Sequence, residues 1–128
     1  AVLDVLARHF QLRLFEHVGE APEFERCLRC ATPRGQLPKV YALRSGEGVV
    51  CPDCRRTGEA VGVVYPESFD VLGYFRAPHG TPPDAMAESA FVEQARRLVE
   101  AAERRILDGK SLKSREMLDT ALEEPVDD

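Results

Sequence analysis

Apolar residues recur along this chain in helix-like blocks at both ends, with short β-branched runs between them. In the first block Leu3, Leu6, Phe10 and Leu14 stand at helical spacing, which predicts a helix over about residues 1–18. Gly19 occupies the expected C-terminal cap, and Pro22 prevents continuation. Val5, Leu12 and Phe15 lie off the main stripe, so the helix is apolar on several sides. Such a helix is normally buried from several sides, and packing against a part of the protein outside this chain is expected.

The middle of the chain changes period. Val40-Tyr41-Ala42-Leu43 reads as a strand, Ser45-Gly46-Glu47-Gly48 as a turn, and Val49-Val50 as a return strand. Residues 61–65 form another short β-branched run that Pro66 closes. Residues 68–75 read as a short helix carrying Phe69, Leu72 and Phe75, and the breakers of 77–83 as a loop. A long helix is expected over 84–108. Its apolar face holds Phe91, Ala95, Leu98, Val99, Ala102 and Ile106, opposite Glu93, Arg96, Glu100, Glu103 and Arg104. Gly109 is expected to end it, with a final short helix over 112–122 and a disordered acidic tail over 123–128. The expected class is mostly α: one helical domain over 1–128 with a small β insertion at about 24–58.

Four cysteines change that picture. They form two clips, Cys27-Leu-Arg-Cys30 and Cys51-Pro-Asp-Cys54, twenty residues apart, and the chain has no others. This C-x2-C-x20-C-x2-C pattern is that of a four-thiolate zinc site. Two intervening residues let both sulfurs of a tight knuckle face one ion, and the hairpin between the clips returns the second knuckle to the first. Zinc takes four soft ligands tetrahedrally, and four thiolates leave no open position for water or substrate. One structural Zn2+ in a knuckle–hairpin–knuckle ribbon is therefore expected. The ribbon holds too little apolar material to fold alone, so the metal supplies its stability. Two disulfides would need an oxidising compartment, and Asp4, Arg8 and His9 interrupt any signal-like apolar core. A redox pair would use one clip and leave the other unexplained.

Charge is uneven. The net charge of −5 hides seven Lys/Arg against two acids over 26–58, and seven against three over 96–115. Local charge decides whether a polyanion is attracted. Arg29, Arg34, Lys39, Arg44, Arg55 and Arg56 on the metal module are candidate phosphate contacts, which position DNA without reading its sequence. A second candidate set lies near the C-terminus: Arg96, Arg97, Leu98, Arg105, Lys110, Leu112, Lys113, Arg115 and Leu118. Apolar positions beside cations suit a short acidic peptide with a hydrophobic end. The plainer reading of Lys110, Lys113 and Arg115 is cations placed favourably at a helix C-terminus. No apolar run of about 18 residues exists to span a membrane. No nucleophile elbow, phosphate-cradling glycine loop or paired carboxylate in an apolar setting is present, so no enzyme is expected.

One combination of residues resembles a known family. Leu12-Arg-Leu-Phe-Glu-His-Val-Gly-Glu-Ala-Pro22 leads through Phe24-Glu-Arg-Cys27-Leu-Arg-Cys30 to Val49-Val-Cys51-Pro-Asp-Cys54, then to Pro66-Glu-Ser-Phe-Asp-Val-Leu and a terminal Leu112-Lys-Ser-Arg115. In order and spacing this resembles the carboxy-terminal part of the bacterial recombination mediator RecO. The resemblance implies a helical domain with a zinc-ribbon insertion and no enzymatic activity. It implies a bacterial, cytoplasmic, nucleoid-associated protein of the RecFOR type in DNA repair and homologous recombination. Such a protein binds single- and double-stranded DNA, anneals strands and engages RecR and the tail of single-stranded-DNA-binding protein. It thereby helps load recombinase. An oligonucleotide-binding barrel, which that family normally carries first, is not in this chain. The alternative is a zinc-ribbon protein-interaction module without DNA contact. A thiol oxidoreductase is the third class.

Overall fold

The computed structural model describes the backbone of residues 2–123 and the side chains of residues 2–108. Three helices and a three-stranded sheet follow in the order α1 (Val2–His17), β1 (Val40–Leu43), β2 (Val49–Val50), β3 (Ala60–Val64), α2 (Pro66–Arg76) and α3 (Ser89–Glu123). Short 3-10 turns at Arg34–Gln36 and Asp84–Ala87 complete the order. α1 stops where Gly19 takes φ 73°, a left-handed conformation open to glycine, and the Glu20 N–H returns to Phe15 O at 2.9 Å. α2 opens on Pro66, which gives up no helical hydrogen bond at a first turn.

The sheet has the order β2-β1-β3, antiparallel throughout. Tyr41 faces Val50 on one side and Val63 on the other, and Ala42 faces Val49 and Gly62. Opposed residues share a face, so β1 is buried on both faces. Val40 and Ala42 join Val49, Val64 and the helices in the main core. Tyr41 and Leu43 join Val50, Ala60, Cys27 and Cys51 in a second, smaller core. The sheet is thus the wall between the helices and the metal ligands. β3 lies beyond the 24–58 segment in which the ribbon was expected. It completes the sheet because β1 has a second edge to satisfy, with an irregularity in register between Ala42 and Leu43.

Two glycines seat the hairpin. A Cβ at Gly46 would lie 2.3 Å from Ala101 O of α3, and one at Gly48 2.3 Å from Glu23 O. Only glycine lets the β1–β2 turn approach both backbones. The Glu23 N–H donates to Glu47 O at 3.0 Å and Glu23 O accepts from the Val49 N–H at 3.1 Å, so the loop before the first knuckle is laced to the hairpin.

The helical core centres on Phe75, Val71 and Val99, with Ala95, Ala102, Leu98 and Ile106 along α3. That face of α3 is as the spacing implies, with Phe91 packed at its edge. Two expectations are corrected. α3 begins at Ser89, after a 3-10 turn, and not at 84. It does not end at Gly109: the backbone stays helical to Glu123, so 112–122 is no separate helix. A mid-helix glycine costs about 1 kcal/mol and does not by itself stop a helix.

The face of α1 that meets the core is the one off the main stripe. Leu12 and Phe15 are buried and Val5 packs beside them, whereas Leu3, Leu6, Phe10 and Leu14 are exposed, Leu3 at 81%. Polar partners fix the choice. His9 Nδ1 lies 3.0 Å from the carbonyl oxygens of both Phe75 and Arg76 at the end of α2, and Gln11 donates to Glu103 of α3. These groups sit on the Leu12–Phe15 side and turn it inward. The side chains of Lys110, Leu112, Lys113, Arg115 and Leu118, and residues 124–128 of the acidic tail, lie outside the described residues.

Candidate metal centre and its basic surround

Each knuckle is a tight turn closed by its own backbone. The Ala31 N–H donates to Cys27 O at 3.0 Å and the Cys54 N–H to Cys51 O at 3.2 Å. The knuckles are joined across the hairpin by Leu28 N–H to Val49 O at 2.9 Å and by Cys51 N–H to the Cys27 sulfur at 3.3 Å. Ala31 closes its turn with φ 61°, the one non-glycine residue at positive φ among those described, and so carries left-handed strain.

The result is convergence. The sulfurs of Cys27, Cys30, Cys51 and Cys54 all lie within 4.8 Å of one another. Four sulfurs held at ~2.3 Å around a tetrahedral ion sit ~3.8 Å apart, and Cys30 Sγ and Cys51 Sγ are 3.8 Å apart. The donor set therefore fits zinc. Cys27 and Cys51 are buried, Cys54 is half-buried and Cys30 is exposed. Burial pushes the Cys27 thiol up, but the N–H groups of Cys30, Cys51 and Arg29 outweigh it and hold it at about 6. Cys54, beside the Cys51 sulfur and partly desolvated, is pushed up to about 12. As thiols the set releases its first proton easily and its last with difficulty. A cation among them is what removes that last proton.

A clasp outside the ligands ties the module shut. The Arg29 guanidinium pairs with both carboxylate oxygens of Glu59 and donates to Cys54 O at 2.7 Å. Glu59 also accepts from the Arg56 N–H at 2.8 Å. The Arg29 guanidinium, first through its hydrogen bonds, holds the Glu59 carboxyl at about 2, well below its usual 4.5. Arg29 comes from inside the first clip, and Glu59 from the end of the segment after the second, so the pair bridges both. Their separation of thirty residues gave no sequence signal.

The other candidate cations divide into anchored and outward groups. Arg34 donates to Phe24 O at 3.1 Å, pairs with Glu25 and lies 3.9 Å over the Phe69 ring, joining the module to α2. Arg55 and Lys39 both stand over one ring, Tyr41, at 4.3 and 5.6 Å. Lys39, Arg44, Arg55 and Arg56 are exposed. Among the described residues the ion pairs use Arg8, Arg26, Arg29, Arg34, Arg76, Arg96, Arg97 and Arg105, and none of these four. On α3, Arg96 is held by Glu93 and Glu100, and Arg97 by Glu93. Arg105 donates to Glu20 O, and Leu98 is buried. The described members of the C-terminal set thus do not share one open face. Gln94 was not among the sequence candidates. It accepts from Tyr65 N–H and Ser68 Oγ and donates to Val63 O, joining β3, α2 and α3.

Fold and site together define a helical domain carrying a four-thiolate metal ribbon. A family model for the C-terminal part of recombination protein O matches residues 2–116, and the chain belongs to that family. A curated relative, DNA repair protein RecO of Dehalococcoides mccartyi, is 28% identical over 60 residues, which is 47% of this chain and 23% of that protein. The match thus spans under a quarter of the relative's length. No solved structure matches the chain. No described helix is long and apolar enough to cross a membrane.

Proposed function

We propose that this chain is the zinc-bearing part of a bacterial DNA repair and recombination mediator of the RecFOR type, acting without catalysis in the cytoplasm. Zn2+ bound by Cys27, Cys30, Cys51 and Cys54 is structural, since four thiolates leave it no open position. The residues around it do the work on DNA. Lys39, Arg44, Arg55 and Arg56 contact phosphates, while Arg29 and Arg34 hold the module in shape. The observation that carries this reading is the set of four exposed cations on the ribbon with no ion pair among the described residues. Such contacts bind DNA regardless of sequence and release counterions. RecR, and the tail of single-stranded-DNA-binding protein on α3, are proposed partners from the family. Arg96, Arg97, Arg105, Lys110, Leu112, Lys113, Arg115 and Leu118 remain the candidates for that interaction, whereas Leu98 is buried in the core.

The test is binding to a single-stranded oligonucleotide across a salt series. Removing one cation that neutralises a phosphate of a single strand flattens the slope of log K against log salt by about 0.7. Arg55→Ala with Arg56→Ala should therefore flatten it by about 1.4, for every sequence tried. Unchanged binding in that variant, or strong preference for one sequence, contradicts the reading and leaves a protein-interaction ribbon.

A further inference from the structure

Among the best-formed cavities on the described surface, one has cations but no carboxylate in its lining. Glu16, Glu23 and Glu25 border the cavity between α1 and α2, Glu47 and Glu59 the one beside the first knuckle, and Glu100 the one between the sheet and α3. The fourth has a volume of about 370 Å³ and lies where β1 begins and β3 ends. Its walls are Leu37, Pro38, Val63, Pro66 and Phe69, its charged members are Arg34 and Lys39, and no carboxylate lines it. That volume falls in the range of small-ligand sites, roughly 300–1,000 Å³.

An apolar pocket with cations at its edge takes a group that is flat and apolar in one part and anionic in the next. An unpaired nucleotide has that construction: a base with two π-faces joined to a phosphodiester. The charge pattern continues outward from the pocket. Lys39 shares the Tyr41 ring with Arg55, so the cavity opens beside the outward cations of the ribbon. Arg34 is anchored over Phe69 and forms a fixed wall. Lys39, exposed and without an ion pair among the described residues, is placed to meet the phosphate.

We propose that this cavity seats one unpaired base of a DNA strand whose phosphates run along Lys39, Arg55 and Arg56. The inference rests on the DNA contact proposed above. It adds a preference for single strands, because a base inside a duplex cannot enter. No base edge is read: of the charged wall groups, Arg34 is committed to Phe24 O and Glu25, and Lys39 meets the phosphate. The seat accepts any base.

The test compares two twelve-residue probes, oligo-dT and an abasic phosphodiester of the same length, by fluorescence anisotropy on the full chain. Gly35 borders the cavity, and a Cβ there would meet nothing within 4 Å, so Gly35→Leu narrows the space without a backbone collision. It is combined with Val63→Met on the partly exposed edge strand. Wild type should bind oligo-dT about tenfold more tightly than the abasic probe, the scale of stacking one base. The double variant should bring the two probes within about twofold while leaving the abasic affinity and the melting temperature unchanged. Lys39→Gln should weaken both probes by the same factor. Equal binding of both probes by wild type overturns the seat but leaves the phosphate surface standing. A tenfold preference that survives in the double variant places the base elsewhere and also overturns it. Binding of neither probe at low salt removes the DNA reading itself.

Discussion

β1 turns Val40 and Ala42 toward one core and Tyr41 and Leu43 toward another, and different chemistry holds the two. Among the described residues the helical core has sixteen that are buried, Phe75, Val71 and Val99 at 0% exposure. Fully burying each such side chain contributes about 1.5–3 kcal/mol, so that core has enough apolar surface to persist by itself. The metal side has five buried residues, and two of them are ligand cysteines. Tyr41, Leu43 and Val50 give the two knuckles little apolar burial, so on the proposed zinc reading the ligands supply the cross-link that apolar burial provides across the sheet. On that reading the small core carries exposed arginines close together because coordination bonds, with the Arg29–Glu59 clasp, resist like-charge repulsion.

The largest effect should come from breaking the metal side. Cys51→Ser removes one ligand of a centre whose binding free energy is of order 10 kcal/mol. Amide exchange over the two knuckles should rise to that of an unfolded segment, while the hairpin, whose Val40, Ala42 and Val49 belong to the helical core, stays better protected and far-UV circular dichroism keeps most of its helical signal. Phe75→Ala tests the other side, and about 3–5 kcal/mol should be lost in denaturant unfolding, with bound metal retained until the helices melt. A smaller loss, about 1–3 kcal/mol, should follow Gln94→Leu, which leaves the fully buried Ser68 hydroxyl without its partner. That variant should damage both sides, because Gln94 links β3 to α2 and α3.

The clasp has a pH signature. Glu59 is held at about 2 when folded against 4.5 ordinarily. A depressed carboxylate stabilises the fold above its unfolded value, and the contribution is lost as pH falls through its folded value. Glu59→Gln should therefore speed metal release to a chelator at about pH 7. Because the carboxylate is ionised in both the folded and the unfolded chain there, the gap from wild type should stay constant between about pH 6 and about pH 8. The smallest effect expected is a gain. Ala31→Gly relieves a left-handed alanine in the first knuckle and should stabilise the ribbon by about 1 kcal/mol in thermal unfolding.

Local pattern made much of this legible. The cysteine spacing, the Val40–Leu43 strand, the glycine turn and the buried face of α3 are set within a few residues each. What escaped depended on distant partners. β3 reads as a strand, but nothing in 61–65 says that β1 rather than solvent lies beside it. α1 carries apolar residues all round, so periodicity alone does not say which side meets the core. The buried side is selected by His9 and Gln11 reaching α2 and α3. Arg29 looked like any ribbon arginine until Glu59 closed on it. Gly109 carries a stop signal that the rest of α3 overrides.

The central claim is that four thiolates hold one structural zinc ion and that this ion orders the ribbon. Elemental analysis of the natively purified protein, paired with intact mass under non-reducing conditions, tests it most directly. One zinc per chain, with the mass of four unoxidised cysteines once the ion is stripped, is the predicted result. A chain without zinc, lighter by four hydrogens from two disulfides, would contradict it.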